Sequence, residues 1–252
     1  MSNKKTALIT GASSGIGMAT ARELAKEGFA LILCGRRLER LEQLKAELSA
    51  ITAVHVLCFD VRNKNEVAEA IQSIPADFSK IDVLINNAGN AHGLSPIESA
   101  DLDDWDAMID INVKGLLYVS RAIIPGMTER RSGHIIHIGS IAGKEVYPNG
   151  NVYCATKHAV DALNKAMRID LNQYGIRVGA IHPGLVKTEF SLVRFKGDEE
   201  RASKVYEGYQ PLLPEDIADI IHFVITRPYH VNIADLTVLP SAQASPTIVK
   251  KS

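Results

Sequence analysis

Tyr153 and Lys157 stand four positions apart in a stretch whose apolar residues Val152, Ala155, Ala159, Val160 and Leu163 repeat at helical spacing. Residues four apart share a helix face, so the ammonium lies beside the phenol. Thirteen positions upstream of the tyrosine, Ser140 closes a strand-like run, His134-Ile135-Ile136-His137-Ile138-Gly139. A hydroxyl, a phenol and an ammonium gathered at one strand-helix junction make a proton-transfer site. A free tyrosine titrates at about 10, so its anion must gain roughly 4 kcal/mol to work near neutral pH, at about 1.36 kcal/mol per unit. A neighbouring cation supplies part of that. No partnered histidine is evident to turn Ser140 into a nucleophile, so its expected task is to hold a substrate oxygen by a hydrogen bond.

Such a site needs a sheet to carry it, and the first twenty residues start one. Thr6-Ala7-Leu8-Ile9-Thr10 reads as a buried strand, Gly11-Ala12-Ser13-Ser14-Gly15-Ile16-Gly17 as a turn, and Met18, Ala21, Leu24 and Ala25 as the inner face of a helix. Gly11 permits the tight turn, Gly15 the approach of a pyrophosphate, and Gly17 the packing of helix on strand. Backbone amides from Ser13 to Gly17 then meet the anion at the helix N-terminus. A second strand, Ala30 to Cys34, leads into Gly35-Arg36-Arg37, where NAD sites usually carry a carboxylate for the ribose hydroxyls. Two guanidiniums there welcome a 2′-phosphate, which points to NADP. The plain alternative is a basic start to the helix Leu38-Glu39-Arg40-Leu41-Glu42.

Beyond this unit strands and helices alternate without a linker or low-complexity break. Strands are expected at 54–59, 82–85, 134–139, 177–181 and 235–239. Helices are expected at 64–73, 103–111, 113–127, 152–174 and 214–226, with a polar helical insert at 191–208. This is an α/β pattern: one doubly wound parallel sheet, a Rossmann fold, with helices on both faces. At 252 residues and 46% apolar, the chain can bury a full core as one dinucleotide-binding catalytic domain over residues 1–252. A net charge of -1, from 28 basic and 29 acidic residues with no dense basic cluster, argues against nucleic acid or an anionic membrane as main partner. The longest uninterrupted apolar run, Phe29 to Cys34, cannot span a bilayer. Three cysteines, an odd count, and no signal peptide set the expectation of a reducing cytoplasm. Scattered histidines, among them His137 and His182, lack the i, i+4 pairing and carboxylate of a zinc site, so no metal is expected.

Taken together these residues resemble the short-chain dehydrogenases/reductases over nearly the whole chain. Besides the glycine loop and the Ser140, Tyr153 and Lys157 set, the chain carries Asp60-Val61, Asn86-Asn87-Ala88-Gly89, Asn112 and Pro183-Gly184. The resemblance implies that Asn112 joins Ser140, Tyr153 and Lys157 in catalysis, holding a water in a proton relay to the lysine. It also implies cofactor contacts from Asp60, Val61, Asn87, Ala88, Gly89, Pro183, Gly184, Val186 and Thr188, with Tyr153 and Lys157 near the nicotinamide. Gly150-Asn151-Val152-Tyr153, Pro183 to Ser191, and Val193-Arg194-Phe195-Lys196-Gly197-Asp198 are similar to the NADP-dependent 3-hydroxy acid dehydrogenases, the serine and L-allo-threonine group. That similarity implies a small helical substrate lid over Val193 to Asp198, substrate contacts from Ser140, Asn151, Tyr153 and Arg194, and a homotetramer.

The leading expectation is an NADP-dependent oxidoreductase acting on a small 3-hydroxy acid of the serine, L-allo-threonine or 3-hydroxyisobutyrate type. Reduction of another small carbonyl, such as a sulfonated aldehyde or a ketone, is the second reading. A non-catalytic NADP-binding sensor is the third, and it usually shows itself by loss of the tyrosine or the lysine.

Overall fold

In the computed structural model, which describes residues 4–251, seven parallel strands form one sheet in the order β3-β2-β1-β4-β5-β6-β7. These are β1 (Thr6–Thr10), β2 (Ala30–Gly35), β3 (Val54–Cys58), β4 (Ile81–Asn86), β5 (Gly133–Ile138), β6 (Ile176–Pro183) and β7 (Asp235–Val238). Side chains alternate across each strand, so a buried strand must be apolar on both sides. Ala7 and Ile9 of β1 face α1 (Gly15–Lys26), α2 (Leu38–Leu48) and α9 (Pro214–Thr226), which contribute Leu24, Leu41 and Ile221 to one core. Leu8 faces the other core, with Val67 of α3 (Lys64–Gln72), Val119 and Ile123 of α5 (Leu116–Arg130) and Leu171 of α6 (Asn151–Asn172). The doubly wound sheet read from the sequence is the one observed. No helix of the described residues is long and apolar enough to cross a membrane.

Local chemistry sets several helix starts. Asn63 accepts hydrogen bonds from the Asn65 and Glu66 amides ahead of α3. Pro214 opens α9, and the Asp216 carboxylate accepts from the Leu213 N–H at 2.7 Å.

One expectation about helices needs correction. The chain from Leu102 to Arg130 is not two separate helices: α4 (Leu102–Ile109) passes through a π-helical turn, Asp110–Gly115, directly into α5. No glycine or proline interrupts residues 102–114 to force a break, and the wider turn brings Asn112 inward, where it is 2% exposed. The expected polar helical insert is present. It splits into α7 (Phe190–Arg194) and α8 (Glu199–Lys204), because Lys196 and Gly197 take left-handed φ values of 53° and 94° and Asp198 caps the second of the two. Smaller shifts occur at β5, which ends at Ile138, so that Ser140 caps the 3-10 turn Ile141–Gly143.

Candidate active site

Strand order reverses at β1, whose neighbours are β2 on one side and β4 on the other, and open α/β sheets bind ligands at the carboxyl edge of such a point. A cleft of about 560 Å³ opens there. The Thr10 hydroxyl accepts hydrogen bonds from the Asn87 and Ala88 amides, both at 3.0 Å, and the Asn87 side-chain amide donates to Thr10 O at 2.8 Å. These bonds staple the end of β1 to the loop after β4. Nothing near Thr10 in the sequence marks it for this task.

The turn after β1 is built for close approach. Gly11 and Gly15 adopt φ values of +66° and +51°, and a Cβ on Gly17 would come within 2.5 Å of Gly11 O. Helix α1 begins after Ser14 with no side-chain cap and no acidic residue in its first turn. Its first amides therefore have no side-chain acceptor, the arrangement an anion such as a pyrophosphate requires. The Ser14 hydroxyl instead accepts from Arg37 Nη2 at 2.6 Å, Ser13 Oγ accepts from Arg37 Nε at 3.1 Å, and Arg37 Nη1 pairs with Glu189 at 2.8 Å. Glu189 also pairs with Arg40, at 2.7 Å. Arg36 is freer: 52% of its side chain is exposed, and its one ion pair among the described residues, to Asp60, is 3.5 Å long.

Ser13, Ser14, Gly15, Ile16, Arg36, Arg37, Val61, Asn87, Ala88 and Gly89 all line the cleft at this end, as do Pro183, Gly184, Val186 and Thr188 along its floor. Gly17 lies beneath the turn. Asp60 stands outside the lining, where Arg62 and Arg36 take its carboxylate.

At the far end the cleft holds Ser140, Tyr153 and Lys157. Tyr153 is 7% exposed and Lys157 6%. The lysine Nζ lies 6.0 Å from the tyrosine ring centroid and donates to Ile138 O at 3.0 Å. Burial pushes the Tyr153 phenol above its ordinary range and the nearby Tyr147 adds to this, while a hydrogen bond with Ser140 and the charge of Arg194 pull it back. Burial also holds Lys157 down, at about 8. Asn112 lies behind Gly89, where an added Cβ would fall 2.9 Å from Asn112 Oδ1 and 3.6 Å from Lys157 Nζ. Its amide is fixed by Asn90 N and O and by the Thr156 hydroxyl.

Arg194, at the end of α7, reaches the same end of the cleft. Its Nε donates to Gly93 O at 3.2 Å and its Nη1 to the Tyr147 hydroxyl at 2.9 Å, with the guanidinium carbon 5.5 Å from the centroids of both Tyr147 and Tyr153. Tyr147 is a cleft residue to which no sequence motif points, and Glu189 lies in the Pro183 to Ser191 stretch, whose likeness assigns it no role. Asn151, expected in the substrate pocket, lies outside this lining: its side chain donates to Ser95 O at 2.9 Å and accepts from Val152 N at 2.6 Å. Behind the Ser140 loop, Asp161, His182 and Asp235 converge on the Lys144 ammonium, which contacts both carboxylates, the first at 2.8 Å.

The buried lysine has a measurable cost. It titrates at about 8 in the folded chain against 10.5 ordinarily, so the unfolded chain binds more protons between those values and stability rises with pH there. Below pH 8 the full cost, about 3 kcal/mol, is present, and roughly 1 kcal/mol returns through the bond to Ile138. Lys157→Met is therefore expected to stabilise the ligand-free protein at pH 7 by about 2 kcal/mol, with the gain fading by pH 10. Urea unfolding at the two pH values checks this, and a destabilised variant at pH 7 would contradict it.

A short chain dehydrogenase family model matches residues 5–198. The NADP-dependent 3-hydroxy acid dehydrogenase YdfG of Escherichia coli O6:H1 is 47% identical over 238 residues, covering 94% of this chain and 95% of that protein. The NADP-dependent 3-hydroxy acid dehydrogenase of Schizosaccharomyces pombe is 46% identical over 242 residues, covering 95% and 93%. Among solved structures, the closed form of a serine dehydrogenase complexed with NADP+ superposes with a TM-score of 0.92 at 45% identity, over 98% of this chain and 99% of the other. With the glycine turn, the Asn87 staple and the Ser140, Tyr153 and Lys157 cluster in one cleft, the chain belongs to the short-chain dehydrogenase family.

Proposed function

We propose that this protein is an NADP-dependent dehydrogenase that interconverts the hydroxyl and carbonyl of a small 3-hydroxy acid, with Tyr153 as its acid and base. The observation that carries the reading is Arg194: a guanidinium set in the same cleft as the phenol, its Nε and Nη1 engaged and its Nη2 without a hydrogen bond among the described residues. A carboxylate entering the cleft needs such a partner, because an unpaired anion moved out of water costs several kcal/mol. When bound, NADP supplies the hydride acceptor or donor. Its 2′-phosphate is met by Arg36 and Arg37 and its pyrophosphate by the amides at the start of α1. Ser140 holds the reacting oxygen in hydrogen-bonding reach of Tyr153, which takes its proton during oxidation and returns it during reduction. Lys157 favours the phenolate and passes protons toward Asn112. The residues 1–252 work as one catalytic unit in this reading, assembled as a homotetramer.

The experiment is a panel followed by reduced-nicotinamide absorbance: L-serine, L-allo-threonine and 3-hydroxyisobutyrate against hydroxypropanesulfonate and simple secondary alcohols. Turnover confined to the last two groups would replace the acid by another small carbonyl compound or its alcohol, and none at all would favour a sensor. Arg194→Ala is expected to raise the KM for a hydroxy acid about tenfold or more, the loss of one charge-assisted contact, and to leave the KM of an uncharged alcohol little changed. Equal rises for both would assign Arg194 to the shape of the cleft wall.

A further inference from the structure

Two cations flank the Tyr153 ring. Lys157 approaches from one turn along the same helix, its Nζ 6.0 Å from the ring centroid, and the Arg194 guanidinium carbon approaches to 5.5 Å from α7. The arginine is firmly seated: Gly93 N–H donates to Arg194 O at 2.9 Å, Arg194 Nε donates back to Gly93 O at 3.2 Å, and the Tyr147 hydroxyl takes Nη1. A cation beside a neutral phenol meets only the ring quadrupole, whereas beside a phenolate it meets a full charge spread over the ring, so it favours the ionised form. We infer that Arg194 is a positioning residue for the acid-base step, holding a permanent charge against Tyr153 that favours its phenolate, in addition to any contact it makes with substrate. The inference rests on the proposed role of Tyr153 and deepens it.

The lysine alone is a limited source of charge. Burial holds it at about 8, so its charge is lost as the pH rises past that value, while a guanidinium keeps its charge. The other groups facing Tyr153 do not replace it. The Tyr147 phenol and Cys154 thiol raise the phenol, the Ser140 hydroxyl lowers it, and the Phe190 ring, 5.6 Å away between centroids, is uncharged. The phenol is thus a better base with α7 seated on Gly93, which ties proton transfer to the arrangement of this short helix.

Tyrosinate absorbance tests this without any substrate. In the NADP+-loaded protein, and again without cofactor, the titration of the chain minus that of Tyr153→Phe isolates the Tyr153 ionisation. Arg194→Met is expected to raise that midpoint by about one unit, at the lower end of what an opposite charge within about 4–6 Å contributes. Arg194→Lys should recover at least half of the shift, a rescue that a merely structural role would not produce. The pH profile of kcat for an uncharged secondary alcohol should move in the same sense. A Tyr153 midpoint unchanged in Arg194→Met, or a lysine variant no better than methionine, overturns the inference. Failure of every hydroxy acid as substrate, with the midpoint shift intact, would instead sink only the assignment of substrate.

Discussion

Tyr153→Phe is expected to lower kcat by about a thousandfold or more while NADP binding changes by less than about threefold. The substitution removes one oxygen from a side chain that is 7% exposed and keeps the ring that packs against Phe190 and between the two cations. Folding and the cofactor end of the cleft, where Arg37 meets Ser13 and Ser14, stay intact. Only the transferable proton is gone. Fluorescence titration with NADPH beside steady-state rates separates the two effects. Retention of more than a few per cent of the parental rate would remove Tyr153 from the proton-transfer role and leave Ser140 with Lys157 to explain catalysis.

The second large effect is on cofactor choice. Replacing Arg36 and Arg37 together by alanine is expected to reduce kcat/KM with NADP about a hundredfold and with NAD by only a few-fold, since each bond to a charged group contributes roughly 1.5–3 kcal/mol. The two arginines are not equivalent. Among the described residues the Arg36 guanidinium is held by a 3.5 Å contact to Asp60 alone, so it is free to turn toward a phosphate. Arg37 is already fixed by Ser13, Ser14 and Glu189, and its loss also leaves the Glu189 carboxylate with Arg40 as its one remaining ion-pair partner among the described residues. The Arg37 single variant should therefore lose some efficiency with NAD as well, and the Arg36 variant almost none. Kinetics of the two single variants with both cofactors give the comparison, and an unmodified enzyme equally efficient with NAD and NADP would refute the premise.

Legibility in the sequence depends on how far apart the interacting residues are. The glycine turn, the Tyr153 and Lys157 pair and the Arg36-Arg37 doublet are each local, and the constraint that selects them acts within a few positions. Helix α9 is legible for the same reason, with Pro214 and Asp216 marking its start. Tyr147 gives no local signal, because its meaning comes from Arg194, 47 positions away. Glu189 likewise acts on Arg37 from 152 positions away. The π-helical turn escapes a reading by periodicity, because a widened turn keeps helical composition while rotating Asn112 by one residue, a change that so few positions cannot register. Asn151 stands in a small pocket that adjoins the main cleft and shares Tyr153 and Arg194 with it, and its position two residues before Tyr153 in sequence does not foretell the Ser95 carbonyl that captures its amide.

The staple between Thr10 and Asn87 joins residues 77 positions apart, whereas β1 and β2 align Thr6 with Ala30. Closing the longer loop costs more chain entropy, which favours assembly of the two flanks of the sheet before the seam between β1 and β4. A dinucleotide lying along that seam would make contacts that form late in folding and must be broken early in unfolding. Its stabilising effect then falls mainly on the unfolding rate. A cell that keeps this protein supplied with cofactor would gain a longer-lived fold, one that proteases find open less often, even while no substrate is being turned over.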